Sequence, residues 1–186
     1  MSEKEIPIHY VCTREKAQEL IDRQKHFWVS NCGCREGNKE GCKRSRIDVC
    51  LMWADGEGSS GSDKHPATRA EVDAIMKEAK DKCLVYRPFR NDARTDTEGI
   101  CFCCDDCCGY FQPGSTYRCD QGEKIEQTKV EDCTNCGACE PVCYFKARQM
   151  KDGALALTRD KCYGCGLCVD VCPTSCITLA TRKREV

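Results

Sequence analysis

Two runs of four cysteines near the C-terminus constrain this chain more than any other feature. Both runs have the spacing C-x2-C-x2-C-x3-C, and a proline, Pro173, follows the second. The eight residues are Cys133, Cys136, Cys139, Cys143, Cys162, Cys165, Cys168 and Cys172. Two-residue spacers allow three consecutive thiolates to surround one metal cluster. The repeat therefore predicts two metal centres.

Zinc sites and disulfides are the alternatives for so many thiols. Structural zinc sites pair C-x2-C units across a longer span, which is not the pattern of two identical four-cysteine runs. Disulfides belong to oxidising compartments. The N-terminal residues Met1–Glu5 have no apolar segment and no signal-peptide pattern. We therefore expect reduced thiols in a cytoplasmic protein.

Residues from about 129 to 180 resemble a bacterial-type ferredoxin with two [4Fe–4S] clusters. In that family the fourth cysteine of each run binds the cluster of the other run. The resemblance implies one cluster on Cys133, Cys136, Cys139 and Cys172, and a second on Cys162, Cys165, Cys168 and Cys143. Tyr144 stands where the family usually has a proline, a departure that alters a turn but removes no ligand.

A second cysteine system lies in the N-terminal part, in two loops. Its members are Cys32, Cys34, Cys42, Cys50, Cys101, Cys103, Cys104, Cys107 and Cys108. A cluster needs four ligands, so these thiols allow one cluster with spare thiols or two clusters with one spare. We predict one further [4Fe–4S] cluster between the loops, with Cys32, Cys34, Cys42 and Cys50 as leading ligands and the second-loop cysteines as alternatives. Zinc is the alternative metal.

Other candidate residues are more ordinary. Arg35 follows Cys34 and is a candidate for stabilising thiolate or cluster charge. The lone thiols are expected to be buried side chains without a role: Cys12, Cys83, Cys119 and Cys176. The histidines are scattered and are expected to have no special function: His9, His26 and His65.

The pattern around the cysteines alternates short strands with amphipathic helices, which indicates an α+β fold. Thr13 is the predicted N-cap of a first helix, and Thr68 with Glu71 forms a predicted capping box for a second. The Gly/Ser-rich stretch 54–66 is a predicted loop. We predict a cysteine-rich α+β domain over 1–110, a linker over 111–128 and a ferredoxin-like dicluster domain over 129–186.

Charge and motifs exclude several classes of function. The formal net charge is −1, which gives no general case for nucleic acid or a membrane surface. The chain has no glycine-rich nucleotide loop, no radical-SAM cysteine motif, and no histidine and carboxylate placed for hydrolysis. No segment approaches the length of a membrane span. Electron transfer through clusters is the predicted function, with no catalytic residues on this chain.

The whole arrangement of cysteine motifs resembles the small iron–sulfur subunit of class II benzoyl-coenzyme A reductase. The motifs are Cys32-Gly33-Cys34-Arg35, then Ile100-Cys101-Phe102-Cys103-Cys104, then the dicluster repeat. In that family the subunit sits beside a tungsten-pterin catalytic subunit related to aldehyde oxidoreductases. The resemblance implies three [4Fe–4S] clusters and a relay of low-potential electrons, with such a subunit and a soluble ferredoxin or other electron-transfer subunits as partners. The alternatives are a ferredoxin-type subunit of another anaerobic redox complex and an iron–sulfur redox sensor.

Overall fold

The computed structural model describes residues 6–53 and 61–183. The N-terminal stretch Met1–Glu5 and positions 54–60 of the predicted loop lie outside the described residues. The fold mixes helices and strands, and the dicluster repeat occupies its C-terminal part. No helix in the described parts of the chain is long and apolar enough to cross a membrane.

A sheet of seven strands, counted over the described ranges, is the frame of the N-terminal part. In chain order the strands are β1 His9–Tyr10, β2 Phe27–Ser30, β3 Cys50–Met52, β4 His65–Ala67, β5 Val85–Arg90, β6 Thr97–Cys103 and β7 Cys119–Asp120. Their spatial order is β4-β2-β3-β6-β5-β1-β7. Strands β1 and β7 pair in parallel, and the other described pairings are antiparallel.

The described residues form four helices, and the two longest pack against the apolar face of the sheet to form the core. The helices are α1 Arg14–Asp22, α2 Gly33–Glu36, α3 Arg69–Asp81 and α4 Leu167–Asp170, with short 3-10 turns at Gly109–Phe111, Val130–Asp132 and Arg159–Lys161. Helix α3 buries apolar side chains spaced three or four residues apart, namely Val72, Ile75, Met76 and Ala79. This spacing places them on one face, so α3 forms as an amphipathic helix on the core.

Both predicted helix starts are confirmed. The Thr13 side chain accepts a hydrogen bond from the Lys16 amide at 3.3 Å at the start of α1. At the start of α3, Thr68 Oγ1 accepts from the Glu71 amide at 3.3 Å, and Glu71 Oε2 accepts from the Thr68 amide at 2.7 Å. The box satisfies two backbone donors that the helix itself leaves free.

Replacing Thr68 by alanine is expected to lower the free energy of unfolding by about 1 kcal/mol, because it removes the acceptor for the Glu71 amide. Denaturant unfolding of the anaerobically prepared protein measures this change. Glu71→Gln is the matched control, since glutamine also completes a capping box and should cost only a few tenths of that amount. A loss in Thr68→Ala no larger than that in Glu71→Gln would show that the Thr68 hydroxyl does not stabilise this end.

The C-terminal part has two small antiparallel sheets. Strand β8 Lys124–Thr128 pairs with β11 Ile177–Thr181, and β9 Arg148–Lys151 pairs with β10 Ala154–Leu157. The predicted linker contributes β7 to the N-terminal sheet and β8 to the ferredoxin part. The chain between the two parts is therefore held by strand pairing on both sides.

The two parts share one apolar core. Tyr144 and Leu167 of the ferredoxin part belong to the same buried cluster as the side chains of α1 and α3. The Tyr144 hydroxyl donates to the Cys83 carbonyl at 2.9 Å, and the Arg44 guanidinium lies 5.0 Å from the centre of its ring. The residue that replaces the family's usual proline thus anchors the ferredoxin part to the N-terminal part.

Candidate metal centres

The first ferredoxin-type cavity is lined by the four thiols that the resemblance assigns to one cluster. They are Cys133, Cys136, Cys139 and Cys172. The loop that carries the first three curls because Asn135 and Gly137 adopt left-handed backbone conformations, with φ of 54° and 75°. Asn135 Oδ1 also accepts from the Leu155 amide at 3.0 Å, which fastens the loop to β10. The two-residue spacing therefore folds into a turn with its thiols on one side.

The second cavity gathers the other four: Cys143, Cys162, Cys165 and Cys168. Gly164 and Gly166 adopt φ of 73° and 84° in this loop. A Cβ atom at Gly164 would lie 1.9 Å from the Lys124 carbonyl oxygen, a distance that no side chain tolerates. Glycine at this position lets the loop lie directly against β8. The chain thus brings together the two predicted sets of thiols, one in each cavity.

The donor sets fit [4Fe–4S] clusters, which take four cysteine thiolates each. Burial raises the pKa of the Cys165 thiol and raises that of Cys168 to about 12. These thiols are therefore protonated near neutral pH when no metal is bound. Because a metal needs the thiolate form, cluster binding must release protons from this region.

A buried arginine lies between the two cavities. Arg148 is 1% exposed; its Nη1 is 3.6 Å from Cys139 Sγ, and its Nη2 donates to Glu126 Oε2 at 2.7 Å and to Thr128 Oγ1 at 2.6 Å. Its charge also acts on the Cys168 thiol of the second cavity. A fixed positive charge beside both thiol sets stabilises the more anionic, reduced state of whatever they bind.

In the N-terminal part, one thiol group combines the two predicted loops. We name Cys42, Cys104 and Cys107 the Arg35 thiol group. The Sγ atoms of Cys42 and Cys107 are each 3.6 Å from that of Cys104, and all three lie within 4.8 Å of one another. Arg35 is 3% exposed, donates to the Phe102 carbonyl at 3.0 Å and reaches Cys104 Sγ at 4.0 Å.

A second set, the Arg87 thiol group, consists of Cys34, Cys103 and Cys108. The Cys108 thiol contacts those of both Cys34 and Cys103. Arg87 is 4% exposed, and its Nη1 lies 3.4 Å from Cys103 Sγ and 3.1 Å from Cys108 Sγ. Hydrogen bonds from Cys101 and Cys108, together with the charge of Arg87, lower the pKa of the Cys103 thiol. This group therefore favours thiolate at its centre.

The predicted leading ligands of the third cluster are divided between these surroundings. Cys34 lies in the Arg87 thiol group and contacts Cys32, whereas Cys42 lies in the Arg35 thiol group. Cys50 on β3 opposes Cys101 on β6, and their thiols are in contact. Three of the four first-loop thiols thus meet a cysteine of the second loop. The N-terminal ligand set remains a prediction.

Both buried arginines carry nitrogen atoms that lack a hydrogen-bond partner among the described residues. These atoms are Nε and Nη1 of Arg35 and Nε of Arg87. A buried guanidinium with free donors is costly unless negative charge lies next to it. Metal-bound thiolates supply that charge, so both arginines fit anionic metal centres.

Sequence reasoning overlooked several residues at these sites. Cys176, expected to have no role, lies in the first cavity with its Sγ 3.5 Å from that of Cys172. Its position four residues after Cys172 could have indicated that it lies beside this site. No pattern in the sequence marks Arg87 or Arg148.

His9 Nε2 is 3.8 Å from Cys101 Sγ, and burial with the charge of Arg87 lowers the pKa of His9 to about 4. His9 is therefore neutral at physiological pH.

Comparison with known proteins defines the class of the C-terminal part. Residues 132–177 match the family model described as a 4Fe-4S dicluster domain. This part of the chain is therefore a ferredoxin-like iron–sulfur domain, and its match falls on the region that holds both cavities.

Two curated relatives each match over a short stretch. One component of the Na⁺-translocating ferredoxin:NAD⁺ oxidoreductase complex of Acetobacterium woodii is 40% identical over 55 residues, which are 29% of this chain and 16% of that protein. An uncharacterized ferredoxin of Methanocaldococcus jannaschii is 41% identical over 52 residues, which are 27% of this chain and 31% of that protein. The chain thus spans less than a third of either relative. No solved structure gives a significant match.

Proposed function

We propose that this chain is an electron-transfer subunit that relays low-potential electrons between a donor and a large redox partner. The observation that carries the proposal is the pair of four-thiol cavities in the dicluster domain, with Arg148 fixed beside both thiol sets. A bound [4Fe–4S] cluster supplies one-electron chemistry. The residues of the chain hold the ligands, exclude water and set the local charge.

Aromatic side chains connect the Arg87 thiol group with the second cavity. The Arg87 guanidinium lies 4.5 Å from the centre of the Tyr110 ring, and the Tyr110 hydroxyl donates to that of Tyr163 at 2.8 Å. Tyr163 stacks on Phe145 with ring centres 4.1 Å apart, and both residues line the second cavity. These contacts form a continuous packed connection between an N-terminal thiol group and a ferredoxin-type site.

The contacts support an order of centres along the relay. The Arg87 thiol group is at one end, the second cavity lies in the middle, and the first cavity follows across Arg148. The first cavity has the exposed thiol of Cys136 on its rim, which favours this end for exchange with a soluble donor or acceptor. The N-terminal end then faces the other partner.

We further propose that the third [4Fe–4S] cluster binds to the Arg87 thiol group, with Cys101 as its fourth ligand. Cys34 belongs to the leading set predicted from the sequence, and Cys103 and Cys108 belong to the alternatives. Their support is the buried Arg87 guanidinium, which hydrogen-bonds to Cys103 and Cys108, and the spacing of the group, in which no three described thiols lie within 4.8 Å of one another. The Cys101 thiol contacts that of Cys103.

The partner is proposed from the cysteine motifs. Their resemblance to the small subunit of class II benzoyl-coenzyme A reductase makes a tungsten-pterin subunit the first partner to test. A ferredoxin-type subunit of another anaerobic redox complex is the second candidate, because a relative with 40% identity belongs to a ferredoxin:NAD⁺ oxidoreductase complex. A redox sensor is a third candidate, favoured by the cysteine-rich surroundings of Arg35 and Arg87.

Anaerobic titration of the chain with dithionite tests the relay. We expect uptake of about one electron per cluster, with bleaching of the visible absorbance that reverses on reoxidation over repeated cycles. Retention of the large redox partner during purification supports the same account. Reduction or oxidation that releases iron after one cycle would support the sensor and contradict the relay.

A further inference from the structure

We propose that Cys42, Cys104 and Cys107 bind a single, tetrahedrally coordinated thiophilic ion such as Zn²⁺, separate from the iron–sulfur clusters. The proposal rests on the geometry of the Arg35 thiol group and does not depend on the electron-transfer function. It divides the N-terminal thiols into two centres of different kinds.

The thiol separations have the size expected for one ion. A tetrahedral site with metal–sulfur bonds of about 2.3 Å places its sulfur atoms about 3.8 Å apart. The two separations in the Arg35 thiol group are both 3.6 Å, between Cys42 and Cys104 and between Cys104 and Cys107. One ion can therefore bind all three sulfur atoms at the same time.

The ferredoxin part of the same chain provides the contrast. Each cysteine of a [4Fe–4S] cluster binds a different iron, so the ligating sulfur atoms stand around a cube and do not converge on one point. Among the described residues, the Arg35 thiol group is the one set of three potential ligands within 4.8 Å of one another, and no such set occurs in either ferredoxin-type cavity. The two kinds of thiol arrangement are therefore distinguishable within one molecule.

Local contacts hold the two loops together at this point. Cys104 and Cys107 form a C-x2-C turn, whose intervening Asp105 accepts from Arg44 Nε at 2.8 Å. Asp106 accepts from the backbone amide of Lys43, also at 2.8 Å, directly after Cys42. These bonds orient the Cys42 loop on the turn, as supporting contacts do around protein metal sites.

The Arg35 guanidinium supplies the charge balance. Three thiolates and a divalent ion leave net negative charge in a buried place, and Arg35 lies there with two nitrogen atoms that have no hydrogen-bond partner among the described residues. The group supplies three of the four corners of the site. With Cys101 assigned to the cluster at Arg87, Cys32 and Cys50 are the N-terminal loop thiols that are left unassigned.

The ion has a structural consequence at the junction of the two parts. Arg44, which is paired with Asp105, also lies over the Tyr144 ring of the ferredoxin part. An ion that fixes the Cys42 loop therefore fixes the surface on which the ferredoxin part docks. We expect its loss to loosen this junction without removing a redox centre.

Metal analysis of the unmodified protein, purified without oxygen, is the first test. We expect about one zinc per chain in addition to the iron that is matched by acid-labile sulfide. Zinc-edge X-ray absorption should give sulfur neighbours at about 2.3 Å. One iron in excess of sulfide, with the spectrum of an iron ion bound by thiolates and no sulfide, would support the same single-ion site with iron in it. Equal iron and sulfide without zinc would overturn the proposal.

Single substitutions then assign the ligands. Cys107→Ser is expected to lose the extra ion and to keep the sulfide-matched iron. Cys83→Ser is the matched control, because Cys83 is a partly buried thiol outside both groups, and it should keep both. Loss of about four irons and four sulfides from Cys107→Ser would assign these thiols to a cluster and refute the single-ion site.

Discussion

Replacing Cys139 by alanine is expected to remove the cluster of the first cavity and to lower the number of electrons taken up per chain by about one. Cys139 is 8% exposed and lies between the cavity and Arg148, so no solvent ligand has easy access to replace its thiolate. Iron and sulfide should each fall by about four per chain. In the complex proposed above, electron delivery from a soluble donor to the large partner should stop, while the active-site metal of that partner stays bound.

Cys176→Ala is the matched control for this experiment. Cys176 is also a buried thiol of the first cavity, but it is not one of the four assigned ligands. We expect its removal to leave iron, sulfide and electron uptake unchanged. Unchanged turnover of the intact complex in Cys139→Ala, or iron loss in Cys176→Ala alone, would contradict the ligand assignment of this cavity.

Replacing Arg148 by methionine is expected to destabilise the ferredoxin part by about 3 kcal/mol, because it leaves the buried Glu126 carboxylate without its closest cation. The side chains of Arg148 and Glu126 are 1% and 2% exposed, and their charged atoms are 2.7 Å apart. The remaining cation at Glu126 is Arg159, which is 56% exposed. Denaturant unfolding of the cluster-loaded protein measures the loss.

Two further variants separate charge pairing from other effects of Arg148→Met. Arg159→Met removes the exposed cation from the same carboxylate and should cost no more than about 1 kcal/mol. Arg148→Met combined with Glu126→Gln removes both buried charges and should recover much of the stability. In that double variant the potential of the first-cavity cluster should fall, since the hydrogen bond and charge beside Cys139 are gone. An unchanged potential would exclude Arg148 from tuning the site.

The C-terminal thiol sets could be predicted from the sequence because most of each set comes from one short run of residues. Each run of cysteines specifies its own turn, and the left-handed positions at Gly137 and Gly166 recur at equivalent places in the two loops. The grouping of Cys143 and Cys172 with the thiols of the other run is a long-range feature. It was predicted from the resemblance to a known family. Helix starts were equally local, so Thr13 and Thr68 were identified correctly.

The grouping of the N-terminal thiols could not be predicted in this way. Their grouping depends on which strands pair, and Cys50 meets Cys101 only because β3 lies beside β6. Cys42 meets Cys104 where the Lys43 amide and Arg44 donate hydrogen bonds to Asp106 and Asp105, which join loops far apart in the chain. No periodicity in a single sequence specifies such contacts, so the choice of ligands among the first-loop and second-loop thiols stays a prediction.

The buried charged side chains could not be predicted from the sequence pattern either. Arg148 and Glu126 lie in short strands whose alternation gives no sign that an ion pair will be enclosed. Tyr144 was visible as a departure from the ferredoxin pattern, but its role as an anchor depends on Cys83 and Arg44 of the other part.

The central claim is that this chain carries electrons on iron–sulfur clusters held by its cysteine sets. Iron and acid-labile sulfide per chain, measured on protein purified without oxygen, test it most directly. We predict about twelve irons and an equal amount of sulfide, from two clusters in the ferredoxin part and one at the Arg87 thiol group. About eight of each would confine the relay to the ferredoxin part. Little or no acid-labile sulfide, or zinc in place of iron in the two cavities, would contradict the claim.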